Sequence, residues 1–132
     1  MLMASPVKQT DKNHSFAQSL SHAWAGVRIA LREERNLRRD AAGFILVAVA
    51  ASVLHAGLAD WLWLMAAVWL VIFAELSNTL IENLVDFVTR GVFSPQAKKI
   101  KDLSAGIVLL TAFFAVLVGI VVFIPLLWAA FH

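Results

Sequence analysis

Three long stretches without a charged residue constrain the fold of this chain more than any other feature. Residues 41–59, 61–74 and 103–132 are almost wholly apolar, and the mean hydropathy of the 132-residue sequence is +0.79. Apolar segments of this length are typical of helices that span a membrane. The sequence therefore predicts an all-α integral membrane protein with a single domain.

The basic residues lie in two segments that flank these stretches. Seven of the eleven lysines and arginines precede residue 41, and the other four lie within residues 90–101. Because basic residues mark the cytoplasmic side of a membrane protein, we predict that the N-terminus and the 89–101 loop are cytoplasmic and the C-terminus is outside. This topology also accounts for the pI of about 9.4, so we expect no nucleic acid as a partner.

The segment before the first apolar stretch has the pattern of a helix that lies on the membrane surface. We predict a flexible tail over residues 1–14 and an amphipathic interfacial helix over residues 15–39, capped by Ser15. Apolar residues recur there at spacings of three and four, and arginines lie on the opposite side. A helix of this kind places its apolar stripe in the lipid headgroup region.

Residues 15–132 are predicted to form one domain in which three transmembrane helices follow the interfacial helix. Gly57 and Asp60 suit the outer turn, and Pro125 is expected to kink or end the last span. Residues 89–100 are predicted to be a loop, because Gly91 and Ser94-Pro95 mark a turn. The predicted spans are residues 40–58, 61–88 and 102–131.

A polar stripe follows directly on the apolar start of the second span. Glu75, Asn78, Glu82 and Asp86 fall at i, i+3, i+7 and i+11, so a helix places them on one face. Carboxylates inside a membrane are expensive to bury and usually functional. Glu75 is the deepest of them, where a carboxylate suits a base that faces a lipid hydroxyl. Asn78 can hold Glu75 or that hydroxyl by hydrogen bonds.

Several charged residues collect at the predicted cytoplasmic end of the spans, where they suit Mg²⁺ that carries phosphates. The acidic ones are Glu33 or Glu34, Glu82, Asp86 and Asp102, and the basic ones are Lys98, Lys99 and Lys101. The sequence has no glycine-rich P-loop and no cysteine. The residues alone leave two non-enzymatic alternatives open, which are a polar seam that joins helices and an ion or proton pathway.

The run E-L-S-N-T-L-I-E-N-L-V-D over residues 75–86 closely resembles the signature of the bacterial diacylglycerol kinase family. The resemblance extends over most of residues 15–127, and its E-R-N and K-D-x-x-A-G elements are more similar to the Gram-positive branch, whose members include undecaprenol kinases. It implies a homotrimeric enzyme of the bacterial inner membrane. Such an enzyme transfers the γ-phosphoryl group of MgATP to a lipid alcohol, with undecaprenol expected ahead of diacylglycerol.

The resemblance also implies roles for individual residues. Glu75 matches the general base of the family, with Asn78 as its adjacent asparagine. Glu34 and Glu82 match the glutamates that carry the metal ion, and we expect Asp86 to be a supporting residue of the site. The residues that match nucleotide contacts are His22, Lys101 and Asp102.

Two positions within the signature depart from the family pattern. Ser77 stands where the family usually has an aliphatic residue, and Leu80 stands where it usually has a small one. We expect Leu80 either to push a neighbouring helix outward or to occupy the lipid cleft. All the polar positions of the signature are present, so the departures concern packing and the choice of lipid.

Overall fold

The computed structural model describes residues 15–132, and the regular secondary structure within that range is entirely helical. The predicted tail over residues 1–14 lies outside the described residues. The all-α prediction is confirmed for the part that is described. Four helices follow one another: α1 (Phe16–Glu33), α2 (Arg35–Val53), α3 (Leu58–Thr89) and α4 (Pro95–Phe131).

The predicted interfacial helix is interrupted, so our prediction of one helix over residues 15–39 is wrong at its C-terminal end. Ser15 caps α1 as expected, because its Oγ accepts a hydrogen bond from the Gln18 amide at 3.2 Å. Glu34 then adopts an extended conformation (φ −91°, ψ 112°) between α1 and α2. Neither glycine nor proline lies at this break, so the sequence contains no helix-breaking residue that would have predicted it. Trp24 on the apolar stripe of α1 is exposed on this chain, and the position of α1 at the membrane surface stays a prediction.

Helix α2 ends at Val53, five residues before the predicted end of the first span. His55 adopts a left-handed conformation (φ 53°) in the turn that follows. Asp60 accepts a hydrogen bond from the Gly57 amide at 3.0 Å, which caps α3 and moves its start to Leu58. The predicted outer turn is therefore present, but it lies closer to the N-terminus than we expected.

Helices α3 and α4 are the two described helices that are long and apolar enough to cross a membrane. Their 32 and 37 residues correspond to about 48 and 56 Å, longer than the roughly 30 Å hydrocarbon layer. Helix α2 has four charged residues among its first six, and its uncharged part, residues 41–53, extends only about 20 Å. The membrane character of two predicted spans is supported, and the third span stays a prediction.

The loop between α3 and α4 is shorter than predicted, because α4 begins at Pro95 and not at residue 102. Ser94 Oγ accepts a hydrogen bond from the Ala97 amide at 3.5 Å, and proline is favourable at the first position of a helix. The Ser-Pro pair that we interpreted as part of a loop is thus a helix start. Pro125 lies inside α4, which continues to Phe131, so it does not end the helix.

The packed core lies between α3 and α4, with one contribution from α2. Its buried residues are Ala51, Leu64, Ala67, Val118 and Val122. Ala51 is completely buried, so α2 meets the other two helices through a small side chain. Most other large apolar residues of α3 and α4 are exposed on this single chain, as expected for surfaces that face lipid or other subunits.

Candidate active site

Helix α3 carries the polar stripe on one continuous helix, as the spacing predicted. Glu75, Asn78 and Glu82 are half-buried, whereas Asp86 is exposed nearer the α3–α4 loop. Glu75 and Glu82 are seven residues apart, which corresponds to about 10 Å along the helix axis. The stripe therefore places two carboxylates at clearly different depths along one face.

Asn78, in the middle of the stripe, forms a hydrogen bond with only one of its two acidic neighbours there. Its Nδ2 donates a hydrogen bond to Glu82 Oε1 at 3.0 Å, so the contact that we considered with Glu75 is not made. Its Oδ1 is buried and has no hydrogen-bond partner among the described residues. A buried acceptor without a donor costs about 1–3 kcal/mol. Asn78 thus orients Glu82 and presents an unsatisfied oxygen.

Two further carboxylates approach the stripe from the start of α2. Glu34, at the break between α1 and α2, and Asp40, on the first turns of α2, are both half-buried. The negative charges of Asp40, Glu34 and Glu82 all repel that of Glu75. In the described part of the chain, neither lysine nor arginine forms an ion pair with any of these four acids. We name Glu34, Asp40, Glu75, Asn78 and Glu82 the acidic site.

Asp40 belongs to the acidic site, although the sequence pattern gave it no role there. Asp40 Oδ2 is buried and lacks a hydrogen-bond partner among residues 15–132. We interpreted Asp40 only as the start of the first span. The available signal was an acidic residue that begins an apolar stretch, and this pattern is also typical of an ordinary helix start.

A second group of charged residues lies beside the α3–α4 loop. Lys101 Nζ on α4 binds Asp86 Oδ1 on α3 at 2.6 Å, and Lys98 forms an ion pair with Asp102 one turn away. These four residues line a cavity of about 420 Å³ with loop residues that include Gly91. A cavity of this size is in the range of small-molecule sites. We name it the loop cavity.

The predicted site residues therefore fall into three places. Glu34, Glu75, Asn78 and Glu82 belong to the acidic site, and Asp86, Lys101 and Asp102 line the loop cavity. No hydrogen bond or ion pair joins these two groups within the described chain. His22 is exposed on α1, and the structure shows no polar contact between it and either group.

The donor set of the acidic site fits Mg²⁺ held jointly with phosphates, and it does not fit a complete protein cage. Across residues 15–132, no three histidine, aspartate or glutamate residues lie close enough together to bind one metal ion. Mg²⁺ needs only one or two carboxylates, because phosphates and water complete its shell. Glu34 and Glu82 carry carboxylates of the kind that would serve as such ligands, and Asn78 already orients Glu82.

The two departures from the family signature leave the polar face of α3 undisturbed. Ser77 Oγ donates a hydrogen bond to Phe73 O at 2.7 Å, so its hydroxyl is satisfied by the backbone of its own helix. Leu80 is 68% exposed. It therefore does not push any described helix of this chain outward.

Comparison with known proteins agrees with the resemblance seen in the sequence. The family model described as prokaryotic diacylglycerol kinase matches residues 21–123. The diacylglycerol kinase of Synechocystis sp. is 38% identical over 107 residues, which are 81% of this chain but only 61% of that relative. The undecaprenol kinase of Bacillus subtilis is 31% identical over 110 residues, which are 83% of this chain and 89% of that relative. The chain belongs to the prokaryotic diacylglycerol kinase family, a family of ATP-dependent lipid kinases.

Proposed function

We propose that this protein transfers the γ-phosphoryl group of MgATP to the hydroxyl group of a membrane lipid. The observation that carries the proposal is the depth difference within the acidic site. Glu75 lies about 10 Å closer than Glu82 to the N-terminal end of α3, directly after the apolar part of the helix. A base at that depth meets the hydroxyl of a lipid, while the residues nearer the loop meet a nucleotide from the cytoplasm.

Four of the five residues of the acidic site then have a proposed task. Glu75 accepts the single proton of the lipid hydroxyl as general base, and Asn78 supports the reaction through its Nδ2, which holds Glu82 in place. Glu34 and Glu82 would hold Mg²⁺, whose charge would offset that of the transferred phosphate.

The loop cavity is the proposed place for the nucleotide, with His22 as a further contact from α1. Lys101 and Asp102 face this cavity together with Asp86 and Lys98. Lysine suits phosphate oxygens as a point charge, and the existing pair with Asp86 holds Lys101 beside the cavity. Asp86 is thus a supporting residue for the nucleotide side of the site.

For the acceptor lipid, we propose undecaprenol first and diacylglycerol as the second candidate. The first choice follows from the resemblance of the E-R-N and K-D-x-x-A-G elements to the Gram-positive branch. The second is favoured by the Synechocystis relative, which carries the name diacylglycerol kinase and is the more identical of the two compared. Both candidates present one hydroxyl group at the membrane surface.

The proposed setting is the bacterial inner membrane, with α2 as a third span and with three copies of the chain in a homotrimer. The basic segments before residue 41 and within residues 90–101 support a cytoplasmic N-terminus and loop, with the C-terminus outside. The exposed apolar surfaces of α3 and α4 support packing against further subunits. One chain by itself leaves the acidic site only half-buried.

Purified protein in mixed micelles with labelled MgATP tests the proposal. Undecaprenol and diacylglycerol are supplied in turn, and micelles without either lipid are the control. We expect label to appear in lipid phosphate, and the ratio between the two lipids identifies the acceptor. If ATP is not consumed with either lipid, the proposal fails and the ion pathway or the polar seam becomes the better account.

A further inference from the structure

The break between α1 and α2, which we name the elbow, is closed by one long side chain. Arg38 Nη1 donates hydrogen bonds to Arg32 O at 2.7 Å and to Leu31 O at 3.2 Å. The donor lies on α2 and both acceptors lie on the last turn of α1. Arg38 therefore connects the two helices directly across Glu34.

These two carbonyl groups need a donor because of the break itself. The last carbonyls of a helix have no partner within it, and in an unbroken helix the amides of Arg35 and Asn36 would bond to Leu31 O and Arg32 O. The guanidinium group supplies donors at that place, and its positive charge also suits the negative end of the α1 dipole. Arg38 thus stabilises the bent form over a continuous helix.

The bent form decides where the Glu34 side chain points. Glu34 has an extended backbone (φ −91°, ψ 112°), its side chain is half-buried, and its charge acts on Glu75 of α3. Ala30 on α1 and Leu37 on α2 are both buried, so apolar side chains are packed on each side of the elbow. In a continuous helix the Glu34 side chain would point elsewhere, because the backbone of Glu34 would change from an extended to a helical conformation.

We propose that Arg38 is a positioning residue that fixes the elbow and thereby aims Glu34 into the acidic site. The inference rests on the proposed role of Glu34 as a ligand of Mg²⁺. Arg38 contacts neither lipid nor nucleotide in this proposal, and it acts only through the backbone of residues 31–34. The neighbouring Arg39 is exposed, and the structure shows no hydrogen bond from its side chain to the elbow.

Two measurements on the full chain in micelles test the proposal without relying on activity. The first is the distance between spin labels on cysteines introduced at Ala25 and Ala42, which are exposed on α1 and α2 in a sequence without cysteine. Labelled protein is diluted with unlabelled protein, so that only distances within one chain contribute. The second is binding of Mn²⁺ together with a non-hydrolysable ATP analogue, followed on unlabelled samples by the spectrum of free Mn²⁺.

Arg38→Met is the main variant, Arg39→Met is the matched control, and Arg38→Lys retains a positive donor. For Arg38→Met we expect the distance distribution to broaden toward the roughly 26 Å between backbone positions of a continuous helix. We also expect Mn²⁺ binding to weaken at least about tenfold, because the two hydrogen bonds by which Arg38 fixes the elbow are lost. Arg39→Met should match the wild type, and Arg38→Lys should lie between.

Several results would overturn the proposal. The first is an Arg38→Met protein with both the distance and the Mn²⁺ affinity of the wild type. An Arg38→Met protein in which only the label distance or only the Mn²⁺ affinity changes would also refute it, because the elbow would then not control the position of Glu34. Glu34→Gln separates this inference from the proposed function: if it binds Mn²⁺ normally, the metal role of Glu34 is wrong, while the label distance still reports on Arg38.

Discussion

Replacing Asn78 by leucine tests the contact that orients Glu82. The substitution keeps the number and branching of the side-chain heavy atoms but removes the 3.0 Å hydrogen bond from Nδ2 to Glu82 Oε1. A hydrogen bond to a charged group contributes about 1.5–3 kcal/mol, and we take about 1.5 kcal/mol because both residues are only half-buried. No other hydrogen bond is lost with the side chain, since Oδ1 has no partner among the described residues.

We therefore expect Asn78→Leu to raise the Mg²⁺ concentration for half-maximal lipid phosphorylation about tenfold. The assay is a Mg²⁺ titration at fixed lipid and saturating ATP in mixed micelles. Asn83→Leu is the matched control, because Asn83 lies on the same helix but is exposed. The reasoning would be refuted if Asn78→Leu showed the Mg²⁺ requirement of the wild type, or if Asn83→Leu shifted it equally.

Two further predictions concern the α3–α4 loop and the residues beside it. Gly91 has a φ of +73°, so Gly91→Ala should lower the free energy of unfolding by about 1 kcal/mol. Gly106→Ala adds a methyl group at a helical position with open space around it, so it should raise the free energy of unfolding by about 0.5–1 kcal/mol. Thermal unfolding in micelles compares the two variants, and equal effects would contradict the role given to the positive φ of Gly91. Lys101→Met should raise the KM for ATP about tenfold, since it removes a charge that suits phosphate. Its effect on stability should stay below about 1 kcal/mol, because both side chains of the pair with Asp86 are partly exposed to solvent. An unchanged KM for ATP would place the nucleotide elsewhere.

The helices and the stripe were predictable because they depend on local patterns. Hydropathy alone indicated α3 and α4, and the spacing of Glu75, Asn78 and Glu82 correctly placed all three on one helix face. The N-terminal cap at Ser15 followed from residue type. Signals of this kind lie within a few turns of one another along the chain, so no knowledge of packing was needed.

The remaining features depend on contacts between distant segments, and the sequence carries little sign of them. The elbow at Glu34 is held by a side chain four residues away that bonds to backbone carbonyls of the preceding helix, and arginine in a helix is otherwise unremarkable. The early start of α4 at Pro95 was missed because Ser-Pro occurs both in loops and at helix starts. The closeness of Asp40 to the stripe required the packing of α2 on α3.

The separation of base from metal site along α3 is the central claim, and Glu75→Gln compared with Glu82→Gln tests it most directly. Transfer of labelled phosphate to undecaprenol and diacylglycerol is measured in mixed micelles, beside binding of Mn²⁺ with a non-hydrolysable ATP analogue. Glu75→Gln should lose at least about a hundredfold in transfer while binding Mn²⁺ like the wild type, whereas Glu82→Gln should lose both. Near-normal transfer to either lipid by Glu75→Gln would contradict the assignment of the base.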